Sequence, residues 1–133
     1  MAEIVASVEG VGVGEAGARG RGVYALRPFG AGETIERAPV IVLPPDEAER
    51  LGRTRLSQHV YIWGDRAEEV AIAFGYGSLY NHSYSPNARF RKDEARGIVV
   101  ITALRDIAAG EEILMNYNGE PDDMSPLSFD VVG

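Results

Sequence analysis

The chain has 133 residues, a formal net charge of −7 and no cysteine. That length suits one domain with a core of its own, and the lack of thiols excludes both a disulfide framework and a thiolate zinc cluster. The acidic balance repels phosphate backbones and attracts cationic partners, so no direct nucleic-acid binding is expected.

Short apolar, β-branched and aromatic runs separated by Gly and Pro predict a mainly β domain. In chain order, strands are expected at 4–8 and 22–26, with the glycine-rich stretch 10–22 read as a flexible loop. A strand at 34–43 precedes one helix. Asp46 and Glu49 have capping-box spacing after Pro44-Pro45, and Ala48, Leu51 and Leu56 can turn inward. Further strands are expected at 60–63, 70–73, 88–92, 97–102 and 113–116. Acids gather toward the end, at Glu111, Glu112, Glu120, Asp122, Asp123 and Asp130; they read as solvated surface charge or as a docking face for a basic tail. No stretch approaches the roughly 20 apolar residues of a membrane span. The start, Met1-Ala2-Glu3-Ile4, lacks a signal-peptide pattern, so an intracellular protein with no membrane role is expected.

Three segments stand out chemically. Gly17-Ala18-Arg19-Gly20-Arg21-Gly22 is followed by Val23-Tyr24-Ala25-Leu26, which reads as a strand. A dinucleotide fingerprint would open a helix there, so that reading fails. In Asn81-His82-Ser83-Tyr84-Ser85-Pro86-Asn87, His82 has only His59 as a second histidine, too few for a catalytic zinc. Neighbouring Ser83 lacks a nucleophile-elbow sequence, so by itself His82 reads as a hydrogen-bonding loop residue. Tyr117 ends Gly110-Glu111-Glu112-Ile113-Leu114-Met115-Asn116-Tyr117 and by itself reads as a partly buried core tyrosine.

Together and in this order, the Gly20-Arg21-Gly22-Val23-Tyr24 turn, the 81–87 segment and the 110–117 segment resemble the SET-domain protein-lysine methyltransferases. The resemblance runs from about Gly17 to Tyr117 and is nearest to the small stand-alone SET domains of bacteria and viruses. It implies a SET fold, with small curved β-sheets around a pseudoknot and one or two short helices. Residues 1–118 would form the domain, and 119–133 a tail in place of the cysteine-rich segment that many members carry. The pseudoknot would bring Asn81-His82 beside Tyr117, which sequence pattern alone does not show.

The implied activity is methyl transfer from S-adenosyl-L-methionine to a lysine of a basic protein, whether histone-like, nucleoid or ribosomal. Carried onto this chain, the backbone at Arg19, Gly20, Arg21 and Gly22, with Tyr24 just after it, would hold the methionine end of the cofactor. Asn81 would meet its amino group, and His82 would lie near the adenine through its main chain. Tyr117 would be the catalytic residue, with Tyr80, Phe90, Met115 and Phe129 lining the substrate channel and no metal required. Tyr61, Trp63 and Tyr76 are further aromatic candidates for the channel and its rim.

Such a displacement needs a neutral amine. A free lysine has a pKa of about 10.4, and a desolvating aromatic channel favours its uncharged form. The family tunes the number of methyl groups with a Tyr or Phe two residues before the catalytic tyrosine; here that position is Met115. The position where some members supply a compensating tyrosine holds Phe90, so di- or trimethylation is expected. A non-catalytic module that grips basic peptides is the alternative, and a homodimer is expected from the small body of a free-standing domain.

Overall fold

The computed structural model describes residues 7–127. Its elements are β1 (Ser7–Val8), β2 (Val11–Glu15), β3 (Arg21–Ala25), β4 (Thr34–Leu43), α1 (Pro45–Leu51), β5 (Val60–Trp63), β6 (Glu69–Ala73), β7 (Asn81–His82), β8 (Ala88–Asp93), β9 (Ile98–Ala103) and β10 (Leu114–Met115). Short 3₁₀ turns occupy Gly17–Arg19 and Arg55–Gln58. The fold is mainly β with one α-helix, as expected.

The principal sheet has the order β5-β6-β4-β9-β8-β10-β7, with β1 added on β4, while β2 and β3 form a separate hairpin. Strand β9 is almost wholly buried, which is why its Ile98-Val99-Val100-Ile101 run is continuous rather than alternating. It pairs with β4 on one side and β8 on the other. Strand β4 has ten residues and serves two neighbours, β9 and β6, with a bulge between Thr34 and Glu36. The sheet curls so strongly that Tyr61, on edge strand β5, meets Phe90 of β8 edge-on, ring centroids 4.9 Å apart.

The C-terminal crossing organises everything else. Strand β10 runs parallel to β7 (Leu114↔Asn81, Met115↔His82) and parallel to β8 (Met115↔Ala88), so it lies between them, and the 83–87 connection must pass across it. Asn87 fastens this crossing. Its Nδ2 donates to the Glu112 carbonyl at 2.8 Å, and its Oδ1 accepts from the Leu114 N–H at 2.8 Å. Its main-chain N–H donates to the Leu114 carbonyl (3.1 Å) and its carbonyl accepts from Leu104 N–H (2.9 Å).

Several expectations are corrected. The 10–22 stretch is not a loop throughout, since Val11–Glu15 is a regular strand. Its glycines leave room for cross-strand neighbours: Cβ atoms on Gly12 and Gly14 would lie 3.3 Å from the side chains of Leu26 and Tyr24. The capping box does not form. Extended Pro44 is itself the N-cap and Pro45 the first helical residue, which puts Asp46 inside the first turn. Asp46 and Glu49 instead reach forward to Arg50 and Arg53. Leu56 is exposed rather than turned inward. Of the expected strand at 4–8, only Ser7–Val8 falls within the described residues, and the one at 113–116 shortens to Leu114–Met115. Among the described residues no helix is long and apolar enough to cross a membrane.

Asn87→Ala deletes both side-chain bonds and leaves the Leu114 N–H and the Glu112 carbonyl without them. It should destabilise the protein by about 2–4 kcal/mol. Urea unfolding checks this, and a midpoint equal to that of the parent would contradict the role assigned to Asn87.

Candidate active site

Two regions flank the crossing. On one side the β2–β3 hairpin presents its glycine turn. Strand β3 does not stop at the hairpin; its outer edge pairs with the segment before β10, through Gly110 N–H to Ala25 O (2.7 Å), Ala25 N–H to Glu111 O (2.9 Å) and Ile113 N–H to Val23 O (2.8 Å). This brings Glu112 beneath the turn. Its carboxylate accepts from Asn81 Nδ2 at 2.8 Å and faces Arg19 Nη1 at 3.5 Å. The second Asn81 amide hydrogen reaches the Arg21 carbonyl at 2.8 Å. A Cβ on Gly22 would sit 2.2 Å from the Glu112 carboxylate and 2.8 Å from Asn81 Nδ2, so only glycine lets these two side chains close over the strand. Tyr24 turns its hydroxyl to the Glu15 carbonyl at 2.6 Å and ties the hairpin together.

On the other side lies the segment after β10. Tyr117 N–H donates to His82 Nδ1 at 2.9 Å, and the two rings meet with centroids 5.3 Å apart. Burial lowers the His82 pKa, which favours the neutral ring, and Nδ1 as acceptor then leaves the ring proton on Nε2. The Tyr117 hydroxyl donates to the Tyr80 main-chain carbonyl. Burial, reinforced by the Glu112 charge, pushes the Tyr117 hydroxyl up to about 12, so it stays protonated at neutral pH.

Tyr117 also lines a cleft of about 230 Å³ together with Tyr80, Phe90, Met115, Tyr61 and Lys92. Among the described residues no carboxylate lines it, in a chain rich in Asp and Glu. At the rim, Lys92 Nζ reaches from β8 to the Ile62 carbonyl of β5 at 2.8 Å. The tail returns to the crossing: Asn116 Nδ2 holds the Asp123 carbonyl at 2.6 Å, and Asn118 Nδ2 and the Tyr84 hydroxyl both hold the Ser125 carbonyl at 2.9 Å.

The residues singled out from sequence thus fall into two groups. Arg19, Gly20, Arg21, Gly22, Tyr24 and Asn81 gather around the hairpin turn, while Tyr80, Phe90, Met115 and Tyr117 share the cleft, with His82 linking the two. Phe129 lies outside the described residues. Asn81 and His82 belong to a two-residue parallel strand rather than a loop. Of the other aromatics, Tyr61 lines the cleft and Trp63 packs in the core.

Sequence reasoning passed over Glu112 and Asn87 at the site and Glu36, which bonds the Tyr80 hydroxyl from behind the cleft. The Glu112 side chain is only 11 % exposed, not a solvated surface charge. Glu36 had a legible signal, since it shares strand parity with Ala38 and Val40 on the inward face of β4. Among the described residues no cluster of three or more His, Cys, Asp or Glu could hold a metal ion.

Comparison with known proteins gives this geometry its family. The SET domain model matches residues 20–118. A Schizosaccharomyces pombe histone-lysine N-methyltransferase, specific for H3 lysine-37, is 35 % identical over 100 residues, covering 74 % of this chain and 67 % of the relative. The Arabidopsis thaliana histone-lysine N-methyltransferase ATX2 is 34 % identical over 113 residues, 78 % of this chain but 10 % of its own length. A crystallised candidate histone methyltransferase from Plasmodium falciparum superposes with a TM-score of 0.66 at 26 % identity, over 82 % of this chain and 93 % of that one. Polycomb Repressive Complex 2 of Chaetomium thermophilum shares the fold at a TM-score of 0.67 and 21 % identity, over 84 % of this chain and 15 % of that one. The hairpin, the crossing and the tyrosine-lined cleft are therefore those of a family member: the chain belongs to the SET-domain protein-lysine methyltransferases.

Proposed function

We propose that the chain transfers methyl groups from S-adenosyl-L-methionine to a lysine of a basic protein, with the donor held at the hairpin turn and the acceptor side chain in the cleft. The observation that carries this reading is the position of Tyr117, which lines an apolar cleft while its backbone N–H is bonded to His82, next to Asn81.

The residues at the turn fit such a donor. Arg19 Nε is buried with no hydrogen-bond partner among the described residues, a donor suited to a carboxylate. A Cβ on Gly20 would meet nothing within 4 Å, so the turn is open there. Arg19, Gly20, Arg21, Gly22, Tyr24, Asn81 and His82 would hold S-adenosyl-L-methionine, which supplies a methyl group activated on a sulfonium.

The chain's own contribution is to select and aim the amine. Tyr61, Phe90 and Met115 give the cleft apolar walls, and with no carboxylate among the described lining residues no counter-charge stabilises an ammonium there, so the free amine is favoured. The Tyr117 hydroxyl donates to the Tyr80 carbonyl, so toward an amine N–H its oxygen would act as an acceptor and direct the nitrogen lone pair. A hydroxyl that stays protonated is a positioning group, not the base that takes the lysine proton.

The net charge of −7, with exposed Glu120 and Asp122 just after the cleft residue Gly119, supports a cationic substrate. Histone-like, nucleoid and ribosomal proteins fit, as does action in the cytoplasm or on chromatin or a nucleoid.

Tyr117→Phe should lower kcat by more than about tenfold, roughly 1.4 kcal/mol, with donor affinity nearly unchanged. Steady-state kinetics on basic peptides decide this, and an unchanged rate refutes the role of Tyr117. Asn81→Ala should weaken donor binding measured by calorimetry; a parental Kd would mean that the donor sits elsewhere. If donor binding occurs with no turnover on any basic peptide, the non-catalytic reading holds instead.

Met115 and Phe90 bring no hydroxyl to the cleft that could fix a blocking water, so exhaustive reaction should add two or three methyl groups, and Met115→Tyr should narrow the product toward one. Intact-mass analysis of the peptide checks both, and a wild-type product that stops at one methyl group overturns this reading.

A further inference from the structure

Glu36 is 1 % exposed, yet it belongs neither to the donor turn nor to the cleft lining. Burying a carboxylate is unfavourable unless its oxygens are met by donors. Both are met. Oε1 accepts from the Tyr80 hydroxyl at 2.7 Å, and Oε2 accepts from the Tyr76 N–H at 3.0 Å. Gly75, with φ of 64°, lies so close that a Cβ would be 2.5 Å from Oε2. A left-handed glycine is what lets this turn settle on the carboxylate.

These contacts converge on one wall of the cleft, residues 75–80. Tyr61 and His59 tether the same wall from β5 and the turn before it, through the Gly77 carbonyl at 2.7 Å and the Ser78 carbonyl at 2.8 Å. Glu36 grips the Tyr80 side chain, and the Tyr80 main-chain carbonyl is where the Tyr117 hydroxyl donates. A path of three side chains thus runs from central strand β4 to the tyrosine of the cleft.

We propose that Glu36 is a positioning residue for methyl transfer: by holding the Tyr80 hydroxyl and the 75–80 wall, it sets the Tyr80 carbonyl and, through it, the direction of the Tyr117 hydroxyl. The proposal rests on the reading of Tyr117 given above. An apolar residue would fill the space under the wall without fixing Tyr80 along its length. Burial also raises the Glu36 pKa, opposed by the hydrogen bonds from Tyr80 and Tyr76.

Two near-isosteric variants test the path. Glu36→Gln offers one acceptor oxygen where two donors converge, and Tyr80→Phe removes only the hydroxyl. Each should lower kcat about three- to tenfold below the melting temperature, with KM and donor Kd within about twofold of the parent. The double variant should be no slower than the slower single, because both cut the same path. In a Tyr117→Phe background, Glu36→Gln should change kcat less than about twofold. A Glu36→Gln enzyme that loses thermal stability while keeping parental kcat overturns the proposal, as does a full, additive loss in the Tyr117→Phe background.

A second measurement does not need turnover. In protein carrying ¹³C-tyrosine, with Tyr117 assigned by its loss in Tyr117→Phe, the Tyr117 ring resonances should move in both Glu36→Gln and Tyr80→Phe. Unmoved resonances overturn the coupling. An inactive parent whose Tyr117 resonances still respond would sink the methyltransferase reading and leave the Glu36 path standing.

Discussion

The passage of β10 between β7 and β8 is the constraint on which the rest of the molecule depends. Two residues of strand provide little pairing, so the crossing needs a lock, and Asn87 supplies it with a side-chain amide that stands in for a missing strand neighbour at Glu112 and Leu114. Once β10 is fixed, three consequences follow within a few residues. Glu112 is held under the hairpin turn, Met115 enters the cleft, and Tyr117 reaches His82. The hairpin, which shares no main sheet with the cleft, is joined to it through the edge of β3 and the segment just before β10.

The distribution of charge follows the same organisation. Acids outnumber bases in the chain, yet none of the described ones lines the cleft, and the buried carboxylates of Glu112 and Glu36 are both engaged by donors. Glu112 meets Asn81 and Arg19, while Glu36 meets Tyr80 and Tyr76. Among the described residues, negative charge is thus kept on the outer surface, where it attracts cations at long range, and out of the cleft lining.

How much of this was legible in the sequence depends on length and periodicity. Strands such as β4 and β5 carry enough alternating or branched residues to declare themselves, and the structure keeps their expected limits. The two-residue strands β7 and β10 carry no period at all, and their parallel pairing across the crossing is a long-range fact that no local pattern encodes. The glycines of β2 misled because their usual turn role hid an alternation that serves cross-strand packing. Local spacing misled at α1 too, where Pro44 and Pro45 set the start of the helix before Asp46 could cap it. At the site, the residue types of the two groups were legible only through family resemblance. The carboxylates behind them were passed over because Glu in an acidic chain reads as surface.

The shortness of β10 has a bearing on how the protein comes to exist. Strands β8 and β9 pair as a hairpin and β4 and β6 across the helix, but β4 also pairs with distant β9 (Pro39↔Ile98), and β10 has nowhere to lie until the 81–88 segment has formed its rim. Both are non-local pairings, whose loop-closure entropy is met before their contacts repay it. The hairpin turn and the cleft both draw on residues of the β10 crossing. Neither the Glu112 contacts at the turn nor the Met115 and Tyr117 walls of the cleft can therefore be complete until β10 has taken its place.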